Sequence, residues 1–164
     1  MLAIRTILHP TDFSEQADYA FRLACSLARD YGARLVVLHV AELPVAGGVD
    51  GMLILPPALD LEPLREKLRQ LRPTDPKVRV EHLLVEGAPA NEILRLGQEM
   101  ECDLIVVGTH GRTGLGRLLM GSVAERVVRK ARCPVLTVKT PLPDSPSSQE
   151  AASESPRIPA AAAK

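Results

Sequence analysis

Tryptophan is absent from this chain of 164 residues, and its aromatic set amounts to two phenylalanines and two tyrosines. All of them, Phe13, Tyr19, Phe21 and Tyr31, fall near one predicted helix, so the ring platforms on which proteins stack single-stranded nucleic acid are missing. Net charge is absent too. With 20 basic against 20 acidic side chains, the chain is not built to hold a long polyanion by bulk charge. The three cysteines, Cys25, Cys102 and Cys133, lack the C-x-x-C spacing of a zinc or redox site, which points to free thiols in a reducing compartment. No apolar run approaches the ~20 residues that span a bilayer, and no N-terminal run resembles a signal peptide. The expectation is a cytoplasmic protein with neither membrane nor nucleic acid as partner. The phosphate-loop pattern G-x-x-x-x-G-K-[ST] does not occur. The run from Gly111 to Gly116 has the wrong glycine spacing for the dinucleotide fingerprint.

Present instead is the balance of one globular domain: 46% hydrophobic residues, and a length that allows a substantial core without room for two ordinary domains. Ala3 to His9 reads as a short buried strand ending at the turn Pro10-Thr11-Asp12, with Asp12 or Ser14 as the N-cap of the first helix. From Glu15 to Tyr31, the residues Ala17, Ala20, Phe21, Ala24, Leu27, Ala28 and Tyr31 recur at helical spacing, and Gly32 stops the helix. Arg34 to Val40 is a near-continuous apolar run, the pattern of a strand covered on both faces. Ala41 to Ala58, with Gly47-Gly48, Gly51 and Pro56-Pro57, reads as a long irregular loop and a candidate lid. A helix through Leu61, Leu64, Leu68 and Leu71, capped by Asp60, precedes a strand from Val78 to Val85. A helix from about Ala90 to Met100, a strand from Asp103 to Val107 and a last strand from Pro134 to Lys139 complete the order. Strands alternating with helices in this way specify an α/β fold, a single doubly wound sheet of five strands, with domain bounds at 1–139. Residues 140–164 hold too little apolar surface to offset chain entropy and read as a disordered tail rich in proline, serine and alanine.

The stretch with the most chemistry is Gly108-Thr109-His110-Gly111, with Gly121-Ser122 nine residues beyond it. Glycines let backbone N–H groups approach a ligand closely, and the adjoining helix brings partial positive charge at its N-terminus. Between Gly108 and Arg132 stand Arg112, Arg117, Arg126, Arg129, Lys130 and Arg132 against Glu125 alone, so a local anion fits that segment. A solvated basic helix face is the competing reading. Ser122-Val123-Ala124-Glu125 has the form of a capping box, which starts the last helix at Val123 and aims the amides near Gly121, Ser122 and Val123 at a phosphate. A continuous helix from about Gly116, with Gly121 as an interior glycine, is the alternative. His110 reads as a neighbour of the phosphates or as incidental. His9 and His39 read as structural residues at strand ends. No nucleophile with a base, and no set of metal ligands, emerges from these spacings.

The string GTHGRTGLGRLLMGSVAERVVRKARCPVLTV resembles the signature of the universal stress protein family, in its ATP-binding branch with G-x-x-G, nine residues, then G-[ST]. Ile7-Leu8-His9-Pro10-Thr11-Asp12-Phe13-Ser14 and Leu38-His39-Val40 are similar to the family's first strand with its turn and to its second strand end. The resemblance implies a flavodoxin-like and Rossmann-like parallel sheet in the order 3-2-1-4-5, with ATP, accompanied by Mg²⁺, across the loops after strands one and four. It implies Gly108, Gly111, Gly121 and Ser122 on the phosphates with Val123, Asp12 on the nucleoside, and the backbone of Val40 at the adenine. Pro10, Thr11, His110 and Arg112 complete the expected lining. It also implies a homodimer through the last strand, Val135 to Lys139, and a stress-response or regulatory protein in which nucleotide occupancy alters conformation or partner choice. Slow ATP hydrolysis or phosphotransfer on the same fold is the alternative. The added tail and the glycine-rich loop after strand two depart from the family pattern, and the tail is a second candidate to cover the dimer edge.

Overall fold

Burial on both faces governs how the strands are built. In the computed structural model, which describes residues 3–42, 47–49, 52–54, 59–109 and 120–139, the chain runs β1 (Thr6–Pro10), α1 (Glu15–Tyr31), β2 (Arg34–Ala41), β3 (Gly47–Val49), β4 (Met52–Ile54), α2 (Glu62–Gln70), β5 (Arg79–Glu86), α3 (Pro89–Glu99), β6 (Leu104–Gly108), α4 (Ser122–Lys130) and β7 (Val135–Val138). Five strands pair in parallel in the order β5-β2-β1-β6-β7. Counting those strands alone, the order is the expected 3-2-1-4-5.

Alternate residues of each central strand face opposite layers. Ile7, Leu35, Val37 and Val106 pack with Phe21, Ala24 and Ala28 of α1 and Leu68 of α2. Leu8, Val36, Leu38 and Ile105 pack with Ile93 and Leu96 of α3 and Val127 of α4. The helices therefore change face between β5 and β6, where the chain crosses from one side of β1 to the other. That crossing creates the crevice in which open α/β sheets bind ligands, beyond the carboxyl ends of the strands. Among the described residues no helix is long and apolar enough to cross a membrane.

Local chemistry sets the helix bounds. Ser14 is the N-cap of α1, its hydroxyl accepting from the Ala17 N–H at 3.2 Å, and Gly32 closes the helix in the left-handed region at φ 64°. At α2 the cap falls on Leu61, while Asp60 accepts from the Glu62 N–H at 3.1 Å and so serves the turn before it. The segment expected to be an irregular loop contains an antiparallel hairpin, with Gly47 opposite Ile54 and Val49 opposite Met52. Its sequence signal is Asp50-Gly51, a dipeptide favoured in two-residue hairpin connections. The strands are three residues each, too short to show alternation among the surrounding glycines and prolines. The expected tail, 140–164, lies outside the described residues.

Gly108 fixes the distance between β6 and α1. A Cβ placed there would stand 3.3 Å from the carbonyl carbon and oxygen of Gln16 and 3.5 Å from the Ala17 nitrogen. These are backbone atoms of the first turn of α1, and they have little room to give. Gly108→Ala is expected to lower stability by about 1 to 3 kcal/mol, the ordinary range for overpacking. Urea unfolding measures it, and a midpoint equal to the parent's would refute the close approach.

Candidate functional site

The turn after β1 is held by hydrogen bonds at every residue. The Thr11 N–H donates to the Leu38 carbonyl at 2.8 Å, extending the β1–β2 pairing past the strand. His39, 6% exposed, donates from Nδ1 to the Thr11 carbonyl at 2.7 Å; a carbonyl only accepts, so the proton resides on Nδ1. The Thr11 hydroxyl accepts from the Phe13 N–H at 3.1 Å. Phe13 occupies the left-handed region at φ 62°, a conformation that costs about 1 to 2 kcal/mol outside glycine. Its ring lies 4.4 Å, centroid to centroid, from that of His39. Asp12 Oδ1 accepts from both the backbone N–H and the hydroxyl of Ser14, at 3.0 and 2.6 Å. The Asp12 carboxylate is thereby fixed beside the N-terminus of α1, where negative charge is favoured.

The second part of the site is the end of β6. Thr109, 5% exposed, donates from its N–H and its hydroxyl to the Val138 carbonyl at 3.0 and 3.2 Å. Its own carbonyl accepts from the Gly121 N–H at 2.7 Å. The chain thus leaves the sheet at Thr109 and returns to the same point at Gly121. Gly121 is the N-cap of α4, with φ −59° and ψ 147°, and Ser122 is the first helical residue. The helix break at Gly121 is as expected, but the capping box is not. The cap is Gly121, with no side-chain cap bond, and Glu125 turns to Arg129 at 3.4 Å instead of back to the cap. The bond to Thr109 explains the shift, since it holds Gly121 in extended backbone and moves the cap one residue earlier. The Glu125 N–H bonds the Gly121 carbonyl at 2.9 Å. The N–H groups of Ser122, Val123 and Ala124, ahead of it, have no intrahelical acceptor and form a positive helix end.

The two parts meet. β1 and β6 are neighbours, with Ile7 opposite Leu104 and Leu8 opposite Ile105. Gly108 abuts the first turn of α1, which Ser14 caps and Asp12 braces. Pro10, Thr11, Asp12, Gly108, Gly121, Ser122 and Val123 therefore gather at one end of the sheet. Val40 lies at the same end of β2, 8% exposed and paired with Val85 of β5. His110, Gly111 and Arg112 lie outside the described residues. Thr109 carried no separate signal in the sequence, because its role comes from Val138 and Gly121, both distant along the chain.

Beneath the crevice His9 is 0% exposed, its Nδ1 donating to the Val106 carbonyl at 2.9 Å, and its ring lies 5.8 Å from that of Phe21. Its Nε2 has no hydrogen-bond partner among the described residues. Loss of hydration pulls the His9 pKa down to about 4, against smaller upward pulls from the Val106 carbonyl and the Asp12 charge. His9 is neutral at pH 7, a pin between β1 and β6, in keeping with the structural role expected of it.

A parallel sheet with its order reversal at β1 and β6, and the turn of Asp12 and the start of α4 at the carboxyl ends of those strands, defines a flavodoxin-like α/β domain. Comparison with known proteins gives the family. The chain matches the universal stress protein family over residues 3–139 and belongs to it. A universal stress protein of Methanocaldococcus jannaschii is 37% identical over 141 residues, covering 84% of this chain and 83% of that protein. A universal stress protein solved in complex with cAMP is similar at a TM-score of 0.60 and 26% identity, covering 83% of this chain and 97% of its own. The universal stress protein of Archaeoglobus fulgidus in complex with dAMP has a TM-score of 0.55 and 26% identity, covering 85% and 100%.

The buried neutral imidazole of His9 makes stability depend on pH. Its pKa is about 4 in the folded chain against 6.5 in the reference state, so between those values the unfolded chain binds a proton that the folded chain refuses. Stability is then expected to fall as pH drops from about 6.5 to about 4, by about 3 kcal/mol in total. Urea unfolding of the parent and of His9→Gln across this range checks the assignment. The variant should lack that part of the slope, and parallel losses in both would contradict it.

Proposed function

We propose that this protein binds an adenine nucleotide, ATP with Mg²⁺, across the carboxyl ends of β1 and β6, and acts in the cytoplasm as a nucleotide-dependent stress-response or regulatory protein. The observation that carries the reading is the return of the chain at Gly121 to Thr109, which sets the first N–H groups of α4 at the ligand end of the sheet. That donor set fits an anion, since hydrogen bonds to a charged group contribute about 1.5 to 3 kcal/mol each. In this reading Gly111, Gly121, Ser122 and Val123 hold the phosphates with Gly108, and His110 and Arg112 lie beside them. Asp12, with Pro10 and Thr11, meets the nucleoside, and the backbone of Val40 meets the adenine. Mg²⁺ would neutralise phosphate charge and be held mainly by phosphate oxygens and water. The complexes of relatives with cAMP and dAMP support the adenine.

Isothermal titration calorimetry of the purified chain with ATP and Mg²⁺ is expected to show saturable binding, weakened at least tenfold in Gly121→Val and Gly111→Val while the urea midpoints move less. No binding at millimolar nucleotide would remove the reading, and parent-like affinity in both variants would remove these loops from the site. Turnover of ATP by the chain alone, abolished in Asp12→Ala, would make the protein a slow hydrolase.

We also propose a homodimer through β7. This strand ends the sheet, and Leu136 is 37% exposed on it. Pro134 and Val138 offer their carbonyls to the β6 side, so the alternate residue Thr137 turns its N–H outward. Analytical ultracentrifugation should find a dimer that Thr137→Pro converts to monomer with the helical spectrum retained; a monomeric parent would refute the pairing.

A further inference from the structure

At the opposite end of the sheet a cavity of about 410 Å³ lies between the ends of α3 and α4, and Cys102 and Cys133 both line it, with Gln98, Lys130 and Arg132. The strand order brings these thiols together from 31 positions apart in the sequence (133 less 102). Ile105 is opposite Val135, and the Ile105 N–H donates to the Pro134 carbonyl at 3.0 Å. Cys102 stands two residues before β6 and Cys133 two residues before β7, at the same end of adjacent parallel strands. Both side chains also face the same layer, packing with Leu8, Ile105 and Val127. Asp103, next to Cys102 in the chain, accepts from the N–H groups of Arg5 and Thr6, at 2.8 and 3.0 Å. Cys25 packs in the other layer, against the cluster of α1.

We propose that Cys102 and Cys133 form a reversible disulfide when the protein meets hydrogen peroxide, a modification site remote from the nucleotide crevice. Cys133, the less buried of the two, attacks first. Its thiolate displaces hydroxide from the peroxide, the O–O bond breaks, and a sulfenic acid forms on Cys133 while the hydroxide takes up a proton. The Cys102 sulfur then attacks the Cys133 sulfur, the S–O bond breaks, and water leaves with the Cys102 proton. Two thiols and one peroxide give one disulfide and two waters, each sulfur losing one electron and the peroxide gaining two. Burial raises both thiols, Cys102 to about 11, so little thiolate exists at neutral pH, and the reaction is slow and accelerates as pH rises. The bond ties the start of β6 to the start of β7.

Peroxide treatment of the full chain, blocking with N-ethylmaleimide and tryptic mass spectrometry test this. The expected product joins residues 96–112 to 133–139, is about 2 Da lighter than the two thiol peptides together, and disappears with dithiothreitol while Cys25 remains alkylated. Cys133→Ser should abolish it and Cys25→Ser should not. Alkylation of both Cys102 and Cys133 after prolonged peroxide, oxidation only to sulfinic acid, or disulfides formed only between chains would overturn the proposal. The peptide map of the parent protein decides the matter even if Cys133→Ser fails to fold.

Discussion

The hydrogen bond from the Gly121 N–H to the Thr109 carbonyl is the constraint on which the site depends. Thr109 is itself fixed, because its N–H and hydroxyl both reach Val138 on the edge strand. Whatever path the intervening chain takes, α4 must therefore start at the carboxyl end of β6. Helix starts in such sheets are set by the sheet, and a helix whose first N–H groups lack intrahelical acceptors becomes a ligand site only when something aims it. Here a buried threonine fixes where that helix starts. The glycine at the return point supplies a cap with no side chain in the way, and Ser122 comes next as the first helical residue.

Facing this, the β1 turn is rigid for a different reason. Phe13 sits in a strained backbone region, and it stays there because the Thr11 hydroxyl takes its N–H while its ring packs on His39. His39 in turn donates to the Thr11 carbonyl, so a residue on β2 fixes a turn that belongs to β1. Strain held by its surroundings in this way is common where a ligand must meet a preset geometry. The consequence is directional. Asp12 cannot swing with its loop, because Ser14 makes two bonds to one of its oxygens and Ser14 is anchored as the cap of α1.

Much of the fold is legible in the sequence because the determinants are local. Both bounds of α1 follow from the turn with Ser14 and from Gly32, and the apolar runs of β1 and β2 announce a sheet covered on both faces. The hairpin of β3 and β4 is not legible, because three-residue strands carry no period and Asp50-Gly51 is outweighed by the prolines and glycines around it. The cap of α4 falls one residue from its expected place for an opposite reason. Ser122 and Glu125 form a good local pattern, but a tertiary bond at Gly121 outranks it. Of the site, residue types and spacing are visible, whereas the links from His39 to Thr11 and from Thr109 to Val138 join residues 28 and 29 positions apart. No local rule in a single sequence reports such pairs.

The two ends of the sheet divide the chemistry, and α4 is the element common to both. At one end its N-terminus lies at the carboxyl end of β6, where Gly121 bonds Thr109. At the other, Lys130 at the end of the helix lines the cavity shared by Cys102 and Cys133. Nine helical residues span about 13 Å, and the buried Val127 and Ala124 fasten the helix into the layer along that length. A short helix packed this way moves as a rigid piece, because a well-packed core has no slack to absorb a change at one end alone. Any event that alters the seating of the C-terminal end of α4 therefore acts on the same rigid body that presents amides to the crevice.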